Sequence, residues 1–311
     1  MILCAGESLI DMVPQDGHFT PLPGGAVMNT AIALARLGAP TAYLWPISRD
    51  PFGEALLRSL AEAGVNTDFC PRSDRLTTLA FVSLIGGEAR YSFYDEGSAG
   101  RMLAARDLPQ RLDGVQALFA GGISLVPDPC GAAVEALLTR EAANLPVMLD
   151  PNIRPFFVQD EPAYRARLDR LFALADVVKL STDDLDWLFP DLSPEAAAAK
   201  VLARGPQIVL LTGGDKGATA IWSHDPVSAP AFQVEVADTI GAGDTFNAGF
   251  LTSLHRDGLL TKAALATLPP EALLRALMLG AKAASVTVSR AGANPPWAHE
   301  ITLDESGTNS P

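Results

Sequence analysis

Fold and function are both read from one stretch, Asp238-Thr-Ile-Gly-Ala-Gly-Asp-Thr-Phe-Asn-Ala-Gly-Phe-Leu251. It begins as a loop and continues as a helix. Gly241, Ala242 and Gly243 carry almost no side chain, so a ligand can approach the backbone closely. Behind them Phe246, Phe250 and Leu254 recur at helical spacing and predict one buried face. The first amides of such a helix have no intrahelical partner, and the helix dipole adds positive potential there. A glycine-rich turn feeding a helix N-terminus is therefore an anion site. Asp244 stands inside it, where a carboxylate repels phosphate unless it has a task such as taking a proton. Asp244 reads as a general base beside a bound phosphate. The alternative is a helix N-cap with ordinary turn glycines.

Outward from this stretch, strands alternate with helices along the chain. That pattern predicts an α/β protein with a doubly wound, mostly parallel sheet and helices on both faces. Strands are expected at 2–6, 41–46, 115–119, 147–149, 177–180 and 208–211. A further hairpin arm is expected at 218–222, with strands near Val227 and Val234. Helices are expected at 30–37, 51–63, 131–141, 182–189 and 270–288. The last would carry Leu273, Leu274, Leu277, Met278, Ala281 and Ala284 on one packed face. Segments 77–85 and 90–94 alternate and flank Gly86-Gly87, a hairpin signal. With the turn-rich 12–21 segment they suggest a small lid. The expected organisation is one domain over 1–305, lid segments near 10–22 and 77–96, and a tail at 306–311.

Polar and glycine residues cluster just after strands, at the edge where open α/β sheets bind ligands. Asp11 follows the first strand. Pro23-Gly-Gly-Ala-Val-Met-Asn29 opens a helix, with Gly24 and Gly25 permitting close approach and Asn29 offering donor and acceptor. Tyr91, Phe93 and Tyr94 on the hairpin can stack on the face of a ligand ring. Arg154, in Asp150-Pro-Asn-Ile-Arg154, can give two parallel hydrogen bonds to phosphate or substrate oxygens. Ser181 and Asp184 follow another strand; the plain reading of Ser181 is a helix N-cap. Thr212-Gly-Gly-Asp-Lys-Gly217 is a second glycine-rich turn without Walker A spacing.

Composition narrows the partners. A formal net charge of −13 over 311 residues, without like-charge blocks, argues against nucleic acid or an anionic membrane. It does not argue against ATP, which arrives with Mg²⁺ and meets local amides. Hydrophobic residues make up 48% of the chain, enough for a sizeable core. Cys4, Cys70 and Cys130 are scattered, and an odd count suits a reducing compartment. With no signal segment or membrane-length apolar run, a cytoplasmic protein is expected. The first strand runs into Glu7-Ser-Leu-Ile rather than Gly-x-Gly-x-x-Gly, which removes a generic dinucleotide-binding dehydrogenase.

Together the motifs resemble the PfkB, ribokinase-like carbohydrate kinases. Asp238, Gly241, Gly243, Asp244, Ala248 and Gly249 fall on one signature of that family, and the Gly-Gly…Asn29 segment on the other. Val27 and Ser48 depart from it. The resemblance implies a ribokinase-like α/β fold with a small β lid, and ATP-dependent phosphorylation of a sugar primary hydroxyl. In that scheme Asp244 is the base, with the Gly241, Ala242 and Gly243 amides around the transferring phosphoryl group. Asp11, Gly24, Gly25, Asn29, Tyr91 and Arg154 would face the sugar. Ser181, Thr212, Gly214, Gly217 and Asn294 would face ATP. Asp184 would reach Mg²⁺ through water. Backbone oxygens at Ile240, Thr287, Arg290 and Gly292, near Asp238, would hold a monovalent cation such as K⁺. Asp-Pro-Asn-x-Arg is usual in the fructokinase-like branch, so D-fructose is favoured. A 2-keto-3-deoxygluconate kinase comes second, because Asp95 would repel a sugar acid. Ribose and other furanoses stay open, as does a non-catalytic sugar- or nucleotide-binding regulator on the same fold. The expected partners are a sugar and ATP, with the protein a monomer or a homodimer through the lid.

Overall fold

The computed structural model describes residues 1–85 and 88–301, so the Gly86-Gly87 turn and the 306–311 tail lie outside the described residues. In chain order the strands are β1 (Ile2–Ala5), β2 (Leu9–Gln15), β3 (His18–Gly24), β4 (Thr41–Leu44), β5 (Ile47–Ser48), β6 (Arg72–Ser73) and β7 (Leu79–Ile85). They continue with β8 (Glu88–Tyr94), β9 (Ala117–Gly121), β10 (Val147–Asp150), β11 (Val177–Ser181), β12 (Ile208–Thr212), β13 (Ala218–Ile221) and β14 (Val227–Ala229). The helices are α1 (Ala26–Arg36), α2 (Pro51–Glu62), α3 (Cys130–Glu141), α4 (Glu161–Leu174), α5 (Thr182–Leu188), α6 (Pro194–Leu202), α7 (Ala242–Arg256), α8 (Lys262–Ala266) and α9 (Pro270–Val288).

Among the described residues, the main sheet has eight strands in the order β14-β13-β12-β11-β10-β9-β1-β4. It is parallel from β4 to β12 and ends in an antiparallel β12-β13-β14 edge. The buried strands read as short, mainly apolar runs because helices cover both faces. A second sheet, β3-β2-β7-β8, stands beside the carboxyl edge of the first. No described helix is long and apolar enough to cross a membrane.

Local chemistry sets the helix starts. Asp50 caps α2 by accepting from the Gly53 amide at 2.7 Å, with Pro51 in the first turn. The first helix differs from expectation. It begins at Ala26, because Gly25, at φ +112°, turns the chain directly out of β3. A side chain at Gly25 would press on the Glu7 carbonyl at 2.6 Å. Asn29 therefore sits in the first turn of a helix and not in a loop.

α7 runs through the interior between α1 and α9, buried on nearly every side from Asp244 to Leu254. Two glycines let α7 and α9 close up: a Cβ on Gly249 would lie 2.7 Å from the Gly280 Cα, and one on Gly280 2.9 Å from the Phe246 ring. Two expectations fail. The segment around Val234 is unpaired coil, since β14 ends at Ala229. Leu274 is 40% exposed, and Leu273, Ala276 and Leu277 carry the packed face of α9 instead. Val27 and Ser48 fit without strain. Val27 is fully buried against Gly6, and the Ser48 hydroxyl accepts from the Asp50 amide.

Candidate active site

The parallel strands all end on the edge where α7 begins. Gly241 caps α7 at φ +79°, a left-handed conformation natural to glycine, and a side chain there would meet Ala293 at 2.9 Å. The amides that follow point to the open edge. Asp244 is in the first turn and only 7% exposed. Its Oδ2 accepts from Asn29 Nδ2 of α1 at 2.9 Å. Burial pushes its pKa up to about 7, with Asp150 adding to the shift, while the Asn29 hydrogen bond, Lys179 and Arg154 oppose it. A carboxyl group that titrates near neutrality can take a proton at physiological pH.

Two cavities flank this carboxyl group. One, of about 330 Å³, is lined by Thr212, Gly214 and Gly217 from the β12–β13 corner, by Ala242 and Gly243, and by Phe232, Phe246 and Val288. Apolar walls meeting a helix N-terminus suit a flat heterocycle with phosphates at one end. The other cavity, of about 120 Å³, lies under the small sheet between Glu7, Tyr91, Phe93, Gly122, Asn152, Arg154 and Phe156. Phe156 stacks on Tyr91, with ring centroids 6.0 Å apart and planes 4° apart. Glu7 ties two walls of this cavity together by accepting from the Ala26 and Ser124 amides, both at 3.2 Å. Burial moves Glu7 up to about 7 and Asp11 up to about 6. Asp11 abuts Gly24, where a Cβ would overlap its carboxylate.

Most sequence-predicted residues meet here: Asp244 with Gly241, Ala242 and Gly243, Asn29 and Gly25, Asp11 and Gly24, Tyr91 and Arg154, and Thr212, Gly214 and Gly217. Others are placed differently. Asn294 is exposed, outside the cavity wall, and its Oδ1 accepts from Arg36 Nη1 at 2.8 Å. Tyr94 is 64% exposed and packs edge-on against Phe81, because strand alternation turns it from the face of Tyr91 and Phe93. Ser181 is the N-cap of α5, and Asp184 closes its capping box. Asp184 accepts from Ser181 N at 2.8 Å, Ser181 Oγ at 2.6 Å and Ile153 N at 2.7 Å, so its carboxylate is fully engaged. Among the described residues no cluster of three acidic, His or Cys side chains suits a metal ion. Asp95 pairs with Arg101 Nη1 at 2.8 Å. At the cation candidates, Asp238 accepts from the Ile240 and Gly292 amides at 3.0 and 2.9 Å, and Ala237 N donates to Val288 O at 2.8 Å. The loop carrying Ile240 is thus stitched beside the end of α9, which carries Thr287, and the loop after it, which carries Arg290 and Gly292.

Some site residues were not anticipated: Glu7, Asn152, Phe156, Asp150, Lys179 and Asn247. Lys179 leaves a sequence signal, as a charge inside the apolar run Val177-Val-Lys-Leu180, and Asp150 and Asn152 stand in the Asp-Pro-Asn-x-Arg motif, which by itself assigns a role to the arginine alone.

The sequence profile described as pfkB family carbohydrate kinase matches residues 1–300. The chain belongs to this family. Among similar proteins, the fructokinase of Rhizobium leguminosarum bv. trifolii is 49% identical over 88% of this chain and 85% of its own. The Salmonella typhimurium fructokinase is 33% identical over 82% of this chain and 85% of its own. A crystal structure of fructokinase with bound ATP from Xylella fastidiosa superposes with TM-score 0.86 at 32% identity, covering 94% of this chain and 93% of that one. The PfkB kinase described here is a carbohydrate kinase with the ribokinase-like α/β architecture.

Proposed function

We propose that this PfkB kinase is a fructokinase, which transfers the γ-phosphoryl group of ATP to a primary hydroxyl of D-fructose and gives fructose 6-phosphate. The observation that carries the reading is Asp244: a buried carboxyl group near neutral pKa, at a helix N-terminus, between a nucleotide-sized and a sugar-sized cavity. Support for fructose comes from the Rhizobium relative and from a Vibrio cholerae fructokinase variant solved with fructose, ADP and potassium ion, at 25% identity and TM-score 0.83 over 94% of this chain and 93% of that one.

In this reading, Asp11, the Gly24–Gly25 backbone and Arg154 orient the sugar, and Tyr91 and Phe156 wall its apolar face. Asn29 fixes the Asp244 carboxylate. As the sugar hydroxyl oxygen bonds to the γ-phosphorus, its proton passes to Asp244 and the bond to the ADP oxygen breaks. The Gly241, Ala242 and Gly243 amides hold the charge that builds on the transferring group. The β2-β3-β7-β8 lid excludes water that would otherwise hydrolyse ATP. Thr212, Gly214 and Gly217 line the nucleotide, which enters as a substrate with its divalent cation, Mg²⁺, bound to phosphates and water. The paired loops at 237–240 and 287–292 would hold a monovalent cation, K⁺, on carbonyl groups; bound there, it would add positive potential beside the anion site.

The test is ADP release from Mg-ATP against fructose, ribose, glucose and 2-keto-3-deoxygluconate, with Asp244→Asn as blank. Turnover with fructose above the others, absent in the blank, is the expected result. Preference for a different sugar would replace fructose while leaving the kinase in place.

A further inference from the structure

Two buried charges beneath the site take no part in the proton transfer above. Lys179, on β11, points under the first turn of α7, its Nζ 3.2 Å from where a Cβ on Gly243 would stand. It pairs with Asp150 Oδ2 at 3.2 Å, with side-chain exposures of 4% and 3%. Asp150 also accepts from Asn247 Nδ2 of α7 at 2.7 Å and from the Asn152 amide at 3.1 Å. Asn152 is left-handed, at φ +44°, and starts the turn that brings Arg154 to the sugar cavity. One carboxylate therefore ties together the helix that carries the base, the loop that carries the arginine and a buried ammonium.

We infer that Asp150 is a positioning residue for phosphoryl transfer: it holds the Lys179 ammonium under the anion site, where the cation supports bound phosphate without neutralising Asp244. This rests on Asp244 being the base. The groups that face Asp244 are Asn29 from α1, Glu7 after β1, Asp150 on β10, Arg154 in the following loop and Lys179 on β11. Around Lys179 stand Asp150, Asp184 and Asp244. Burial pulls the lysine pKa down, but these carboxylates, Asp150 foremost, raise it overall. Without the Asp150 charge, the ammonium is left to Asp184 and Asp244; three donors already occupy Asp184, so part of the lysine's pull falls on Asp244. A base paired with a cation holds its proton less well and is a weaker base.

The experiment compares wild type, Asp150→Asn, the charge-neutral Asp150→Asn/Lys179→Met and Asp244→Asn, following kcat and kcat/KM against pH. Folding is checked by circular dichroism. Asparagine keeps one acceptor for Asn247 or Asn152. In Asp150→Asn the acidic limb should move down by about one pH unit, and plateau kcat should fall roughly tenfold. In the double variant the limb should return toward wild type, while kcat/KM for ATP stays roughly tenfold low for want of the cation. An unmoved limb in folded Asp150→Asn overturns the inference. So do wild-type constants in the double variant, which decides the matter if the single variant does not fold. Substantial turnover by Asp244→Asn removes the base reading itself, and the inference falls with it.

Discussion

Replacing Asp244 by asparagine should weaken the enzyme and strengthen the fold, and the two effects have one cause. The ordinary aspartate pKa of 3.8 rises to about 7 at this position, chiefly through burial. Between those values the folded chain keeps a proton that the unfolded chain releases. Stability is therefore lost as pH rises from about 4 to about 7, and the full cost of the buried charge is present above that. At about 1.4 kcal/mol per pH unit, the cost is about 2 kcal/mol at pH 5 and about 4 kcal/mol at pH 8. Asparagine cannot ionise, and its Oδ1 still accepts from Asn29. The variant should thus be more stable than wild type, with a margin that grows by about 2–3 kcal/mol between pH 5 and pH 8. Turnover should fall by roughly 10²–10⁴-fold, about 3–5 kcal/mol in the barrier, as expected for loss of a general base.

Denaturant unfolding at pH 5 and pH 8 reads the first quantity, and ADP release at pH 8 reads the second. A stability margin that does not change with pH would mean that Asp244 is not held near neutrality. Turnover within threefold of wild type would mean that the proton goes elsewhere. Either result refutes the reasoning.

Arg154→Met should raise the KM for sugar roughly tenfold or more, the worth of a charged hydrogen bond, and leave the KM for ATP near wild type; steady-state kinetics in both substrates separate the two. Phe156→Ala removes the ring stacked on Tyr91. It should weaken sugar binding by about 1 kcal/mol with kcat less affected, as read from KM against kcat. Gly249→Ala sets a methyl group 2.7 Å from the Gly280 backbone. Neither helix has a flexible side chain there to yield, so a loss of about 1–3 kcal/mol in denaturant unfolding is expected.

What the sequence discloses is what the local backbone demands. Gly241 is legible because a left-handed cap beside Ala293 leaves little choice, and the strands of the main sheet are legible because burial on both faces makes most of their residues apolar. α4 is harder to see. Asp160 and Pro162 mark its start, but between Tyr164, Leu168, Leu171 and Phe172 the half-buried Arg165 and the exposed Arg170 weaken the apolar stripe. Asn294 shows a different gap: its motif places the loop, but whether the side chain meets the nucleotide depends on Arg36, which claims it from another helix. The Asp150–Lys179 pair is the most instructive case. A lysine inside Val177–Ser181 must have a partner, so the sequence announces a buried ion pair. Which carboxylate it takes is decided only when β10 lies beside β11 and α7 closes over both. Asp150, Asp184 and Asp244 all act on it, and the packing leaves one held by two amides and a hydroxyl, one paired, and one ready to take a proton. The division of roles among three chemically identical side chains is a property of the packing, and that is why motif spacing finds the base but not the charges that set it.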